Sequence, residues 1–81
     1  MSTNRAHTPK TLRVLAGLTQ LEAAQRAGLD PRTVYAVEMG EATTTTTLAA
    51  LALAYGIAPG ELFEAHAQVA GERKAAAGGA R

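Results

Sequence analysis

From residue 8 onward the chain alternates short stretches of helical apolar spacing with glycine or proline punctuation. Leu12, Leu15 and Ala16 share one stripe behind Thr8-Pro9, a cap followed by the residue pre-set for a first helical position, and Gly17 supplies a left-handed stop. This predicts a first helix over 9–16. Thr19-Gln20-Leu21-Glu22 has capping-box spacing, in which the threonine hydroxyl serves the amide of Glu22 and the carboxylate reaches back to the amide of Thr19. A second helix over 20–27 follows, ended by Gly28. After a single Leu29, Asp30-Pro31 repeats the signal of cap and first-turn proline, and Leu29 and Val34 have the spacing of a hydrophobic staple across it. The third helix is expected from Pro31 to about Met39, with Gly40 beyond it.

The five threonines 43–47 read as a polar connection in which Thr44 or Thr45 caps the next helix. Leu48, Leu51, Ala52 and Tyr55 then recur at helical intervals up to Gly56, the end of a fourth helix. Ala58-Pro59-Gly60-Glu61 is a weaker start, because alanine caps poorly, but Leu62, Phe63, His66, Val69 and Ala70 fit an amphipathic fifth helix to about residue 70. The pattern divides the chain into a loose basic arm over 1–7, a domain over 8–70 and a flexible tail over 71–81. Within that domain the second and third helices are joined by a turn too short to leave their angle free, which is a helix-turn-helix arrangement.

Composition sharpens this picture. Eighty-one residues suffice for one small domain, and 19 of the 38 hydrophobic residues are alanine, so the core is thin and the helices lie close. Val and Ile total five and aromatics three, too few for a β-sandwich or barrel; the expectation is an all-α, compact five-helix bundle. Without cysteine there are no disulfides, thiolate zinc sites or cysteine nucleophiles. Apolar stretches fall far short of a membrane span and residues 1–7 lack the apolar segment of a leader, so a cytoplasmic protein without a membrane partner is expected. Net charge is +1 but unevenly placed: residues 1–32 hold five bases and two acids, residues 33–64 four acids and no base. A basic first half suits an anionic partner.

Gly17-Leu18-Thr19-Gln20, followed by Ala23, Ala24, Ala27, Gly28, Leu29, Val34, Val37, Glu38 and Gly40, resembles the Cro and lambda-repressor-like helix-turn-helix family, also called the xenobiotic response element family. Counted from Gln20, the small residue falls at the fifth position of that family's motif, the turn glycine at the ninth, and apolar residues at the fourth, eighth, tenth, fifteenth and eighteenth. The downstream LAALALAYGIAPGELFE is similar to the family's last two helices. Two positions depart from the pattern. Glu41, Ala42 and the threonines stand where basic residues usually meet phosphate, and Pro31 stands where many relatives offer a hydrogen bond to a base.

The resemblance implies a lambda-repressor-like DNA-binding domain that reads the major groove with helix 31–39. At about 100° per residue, Val34 and Val37 define the buried side of that helix, leaving Arg32, Ala36 and Met39, flanked by Tyr35, to face outward with Thr33 at the margin. Arg32 is the strongest base-reading candidate, because a guanidinium can pair O6 and N7 of guanine together. Gln20 falls where the family meets a phosphate or base edge; Lys10, Arg5 and Arg26 are candidates for phosphate, as are Thr43 and Thr44 through hydroxyls and backbone amides. Arg13 and Glu38 are implied by the resemblance to be a structural ion pair joining the first and third helices.

His7 and His66 have no partner at ligand spacing, no nucleophile with a base is legible, and neither a cofactor, a metal nor a small-molecule ligand is expected. The expected function is a sequence-specific transcriptional regulator, a repressor rather than an enzyme. It would act as a homodimer on a two-fold symmetric operator, with Leu62, His66 and Val69 forming the dimer stripe while Phe63 turns into its own core. The alternative is a protein-binding module of the same fold, an antitoxin-like partner, to which the acidic second half and Glu41 would be suited.

Overall fold

The computed structural model describes residues 7–79. All but His7 of the arm expected over 1–7, including Arg5, lies outside them. The chain forms α1 (Pro9–Leu15), α2 (Gln20–Ala27), α3 (Pro31–Glu38), α4 (Thr45–Tyr55) and α5 (Pro59–Gly79), with no strand among the described residues. It is an all-α helix-turn-helix fold in which no single described helix is long and apolar enough to cross a membrane.

The ends of the elements follow from local chemistry. Thr8 Oγ1 accepts from the Thr11 amide at 3.1 Å, and Thr44 Oγ1 accepts from the Thr47 amide at 3.1 Å, so Thr44 rather than Thr45 caps α4. The capping box of α2 is closed both ways, with the Glu22 amide donating to Thr19 Oγ1 at 3.1 Å and the Thr19 amide donating to Glu22 Oε1 at 2.9 Å. Asp30 caps α3 by accepting from the Arg32 amide at 2.8 Å. Met39 is the C-cap of α3, one residue short of the expected helix, and its amide still donates to the Tyr35 carbonyl at 3.0 Å.

The core is built on small residues. Ala23 and Ala24 of α2 are fully buried, which lets α2 lie close against α3 and α4. Val34 and Val37 enter from α3, Leu48, Leu51, Ala52 and Tyr55 from α4, and Leu12 and Leu18 from α1 and the loop after it. Fully burying a Val or Leu side chain contributes about 1.5–3 kcal/mol, so these few carry most of the hydrophobic stabilisation.

Three expectations are corrected. Leu15 is 68% exposed, not part of the buried stripe of α1, whose inward side is Pro9, Leu12 and Arg13. Burying Arg13 turns α1 so that Leu15 lies about 110° from the centre of that side, and a seven-residue helix presents only one side to the core. Leu62, expected at a dimer interface, is 0% exposed within the single chain: with Ala65 it plugs the core from α5, while Phe63 packs at the margin. The chain turns through 119° between α4 and α5, and this turn aims Leu62 and Ala65 inward. Finally, α5 extends nine residues past its expected end near 70, to Gly79, and residues 80–81 of the expected tail lie outside the described residues. Glu72, Arg73, Lys74 and the alanines after them favour helix, and Gly71 does not break it.

Candidate nucleic-acid interface

The outward side of α3 is an exposed surface backed by the core. Asp30 and Pro31 start the helix, Val34 and Val37 fasten it to the core, and Arg32, Tyr35 and Met39 project from the opposite side into solvent. Thr33 and Ala36 lie half-buried along the edges of that side. The Arg32 side chain is 91% exposed, so nothing in the core depends on it. Its guanidinium lies against Asp30, with Nε donating to Oδ1 at 3.2 Å and Nη2 donating to Oδ2 at 3.4 Å. This pairing holds the pKa of the Asp30 carboxyl below its usual range and raises that of the Arg32 guanidinium, the mutual hydrogen bond being the largest cause in both.

The remaining candidates are spread around this helix. Lys10 is exposed in the first turn of α1, and Arg26 is exposed in the last turn of α2. Thr43 is half-buried and Thr44 exposed before α4. The Thr44 hydroxyl accepts from the Thr47 amide and donates to Thr47 Oγ1 at 3.1 Å, so in the free chain it is engaged in capping.

Gln20 is placed differently from an unattached surface glutamine. Its Nε2 donates to Glu38 Oε1 at 3.0 Å, which joins it to a part-buried network behind the α2–α3 unit. Arg13 grips the same carboxylate, Nε to Oε2 and, at 3.3 Å, Nη2 to Oε1, while its Nη1 donates to the Leu18 carbonyl at 2.8 Å. Arg13 and Glu38 therefore meet as an ion pair with side chains only 10% and 6% exposed, and their charges are matched by neutral partners from α2 and the preceding loop. No buried side-chain polar atom among the described residues lacks a hydrogen bond. Tyr55 stands beside this network. Burial, and secondly the negative charge of Glu38, push its phenol up to about 12.

A second clamp holds the far end of α3. Gly40 has φ +78°, and a Cβ there would lie 2.9 Å from both Val69 Cγ1 and the Val69 carbonyl oxygen. His66 Nε2 lies 2.8 Å from the Glu41 carbonyl oxygen, and Arg73 Nη1 is 3.9 Å from Glu41 Oε2. His66 and Val69, expected to face a second subunit, are thus partly occupied by the α3–α4 corner of their own chain.

Sequence reasoning missed the Asp30–Arg32 pair and the anchoring of Gln20 to Glu38. The first has a local signal, an acid at the cap two residues before an arginine; the second joins residues 18 apart in sequence and has none. No three metal-ligating side chains converge among the described residues. A family model described as helix-turn-helix matches residues 10–62 of the 81. Neither a curated protein nor a solved structure matches the chain.

Proposed function

Because the chain belongs to the Cro and lambda-repressor-like helix-turn-helix family, whose domain is that of DNA-binding transcription regulators, we propose that it is a sequence-specific repressor acting as a homodimer on a two-fold symmetric operator. The observation that carries this reading is the outward side of α3: an unburied arginine at its first turn, Tyr35 and Met39 along it, and Val34 and Val37 holding it rigidly from behind. A helix so mounted enters the major groove with its N-terminal residues nearest the base edges, and Arg32 there meets O6 and N7 of guanine. Tyr35 supplies a ring for a thymine methyl or a hydroxyl for phosphate, and Thr33 and Ala36 flank the contact. Lys10, Arg26, Thr43, Thr44 and Gln20 face the sugar–phosphate strands. Gln20 does so from the amide atoms that its bond to Glu38 leaves over.

One α3 of eight residues covers only part of one helical turn of DNA, which favours two copies on one duplex over one. A two-fold pair sets its α3 helices about 34–36 Å apart, matching one turn of B-DNA. With Leu62 inside the protomer, the pairing surface falls to His66, Val69 and the exposed side of α5 beyond them.

Selection of duplexes from a random pool at physiological salt tests the reading. Enrichment of a consensus with two-fold symmetry supports it. No enrichment at any salt concentration overturns it in favour of a protein-binding module. A consensus without symmetry, bound by a monomer in light scattering at tens of micromolar, removes the dimer and keeps the DNA.

A further inference from the structure

An exposed arginine can pair two acceptors of one base, but its long side chain carries roughly 2 kcal/mol of rotamer freedom, part of which is lost when it is fixed in one pose. Arg32 is 91% exposed, yet both its backbone amide and its side chain are bound to Asp30, two residues earlier. The arrangement distributes the donors of the guanidinium in a particular way. Asp30 takes Nε–H and one N–H of Nη2, the side-on edge. Nη1 and the outer N–H of Nη2, the end-on edge, have no partner among the described residues. Those two form a pair of parallel donors, the pattern that O6 and N7 of one guanine accept.

We propose that Asp30 is a specificity-determining positioning residue, whose carboxylate holds the side-on edge of Arg32 so that the end-on edge is presented to a single guanine. The inference rests on the reading of α3 as a DNA-recognition helix given above. Asp30 is well suited to the task because it is fixed itself: its Oδ1 caps α3 at 2.8 Å from the Arg32 amide, so the support is referenced to the helix and not to a mobile side chain. The same carboxylate discourages promiscuity. It neutralises Arg32 against phosphate, and it sets a negative charge beside the backbone of any duplex that lacks the right base, where no guanine compensates. Asp30 should therefore weaken non-specific binding while sharpening specific binding, opposite effects that capping alone does not produce.

Asp30→Ser tests this, since serine caps a helix as well as aspartate does but cannot engage two guanidinium nitrogens. Binding is measured on the selected duplex and on duplexes changed one base pair at a time, for the wild-type chain, Asp30→Ser, Arg32→Ala and the double variant. Discrimination for guanine at one symmetric position should fall about three- to tenfold in Asp30→Ser, the size expected when one long side chain is no longer pre-ordered. Other positions should keep their preferences, and affinity for a duplex of unrelated sequence should rise. In the Arg32→Ala background the substitution should leave discrimination unchanged. Asp30→Asn, which caps as well and retains one acceptor, should show a smaller loss of the same kind and guards against a serine variant that folds poorly. If Arg32→Ala relaxes one base position while Asp30→Ser and Asp30→Asn leave it intact, the positioning role falls and the DNA reading stands. Should Arg32→Ala leave every duplex equally well bound, both fall together.

Discussion

In the proposed complex with DNA, single side chains divide into those that read and those that hold. Arg32 belongs to the first kind: with no core contact to lose, Arg32→Ala should leave the thermal midpoint unchanged and cost about 1–3 kcal/mol of binding per half-site at one base position. A loss shared equally by all sequences, with a shallower salt response, would place it on phosphate instead. Arg13 and Glu38 belong to the second kind. Removing either strands a charge that is almost wholly buried, so Arg13→Ala or Glu38→Ala should cost about 3–5 kcal/mol in urea denaturation, a large part of the stability of so small a domain. Tyr55 adds a pH signature. Its phenol, pushed up to about 12, holds its proton more tightly in the folded chain than in the unfolded one, where a phenol titrates near pH 10. Its contribution is complete below about pH 10 and is lost as pH rises through about 12. Denaturation midpoints should therefore fall over that range in the wild-type chain and fall less in Tyr55→Phe; an equal decline would contradict the assignment. The outward side of α3 was legible because a helix of known start and two buried valines fix every other direction on it. The tie between Gln20 and Glu38 was not, because it depends on how α2 and α3 cross, and no spacing within either helix encodes that.

At the scale of elements, punctuation carried most of the information. Caps at Thr8, Thr19, Asp30 and Thr44, and positive-φ glycines after four helices, leave little freedom in where α1 to α4 begin and end. The side that each helix buries was harder to read. In α1 a charged residue entered the core in place of Leu15, because Glu38 and the Leu18 carbonyl offered Arg13 partners that hydrophobic spacing cannot show. In α5 the start lacks a strong cap and alanine is everywhere, so both the inward register of Leu62 and the continuation to Gly79 escaped the pattern. The close approach of α5 to Gly40 gives a test of how α3 is held. Gly40→Ala forces both a left-handed alanine and a contact with the Val69 backbone, and should cost about 2–3 kcal/mol or more of stability. Gly28→Ala has the same backbone strain with open space around the new methyl, and should cost less. Equal costs would mean that α5 does not clamp the corner in solution.

For the molecule as a whole, the uneven charge and the mounted helix combine into an account of recognition. Bases at Lys10, Arg26 and Arg32 lie on the first three helices, while residues 33–64 contribute acids and no base, which suits the proposed approach of the first three helices to an anionic duplex. With roughly four charged contacts per dimer, affinity should fall with salt at a log–log slope of about −3 to −4, and a flat response would exclude a phosphate-based interface. The helix-turn-helix architecture itself was legible in the chain because caps, turn glycine and apolar positions all agree. The inward place of Leu62 was not, because Leu62 looks the same in sequence whether it faces its own core or a partner. The central claim is that α3 reads base edges in the major groove through Arg32, and one measurement addresses it directly. In the selected duplex, the guanine assigned to Arg32 is replaced by 7-deazaguanine, which keeps its Watson–Crick pairing and O6 but removes the N7 acceptor. The account predicts a loss of about tenfold in affinity per half-site for the wild-type chain and none for Arg32→Ala. Equal affinity of the wild-type chain for both duplexes would contradict it.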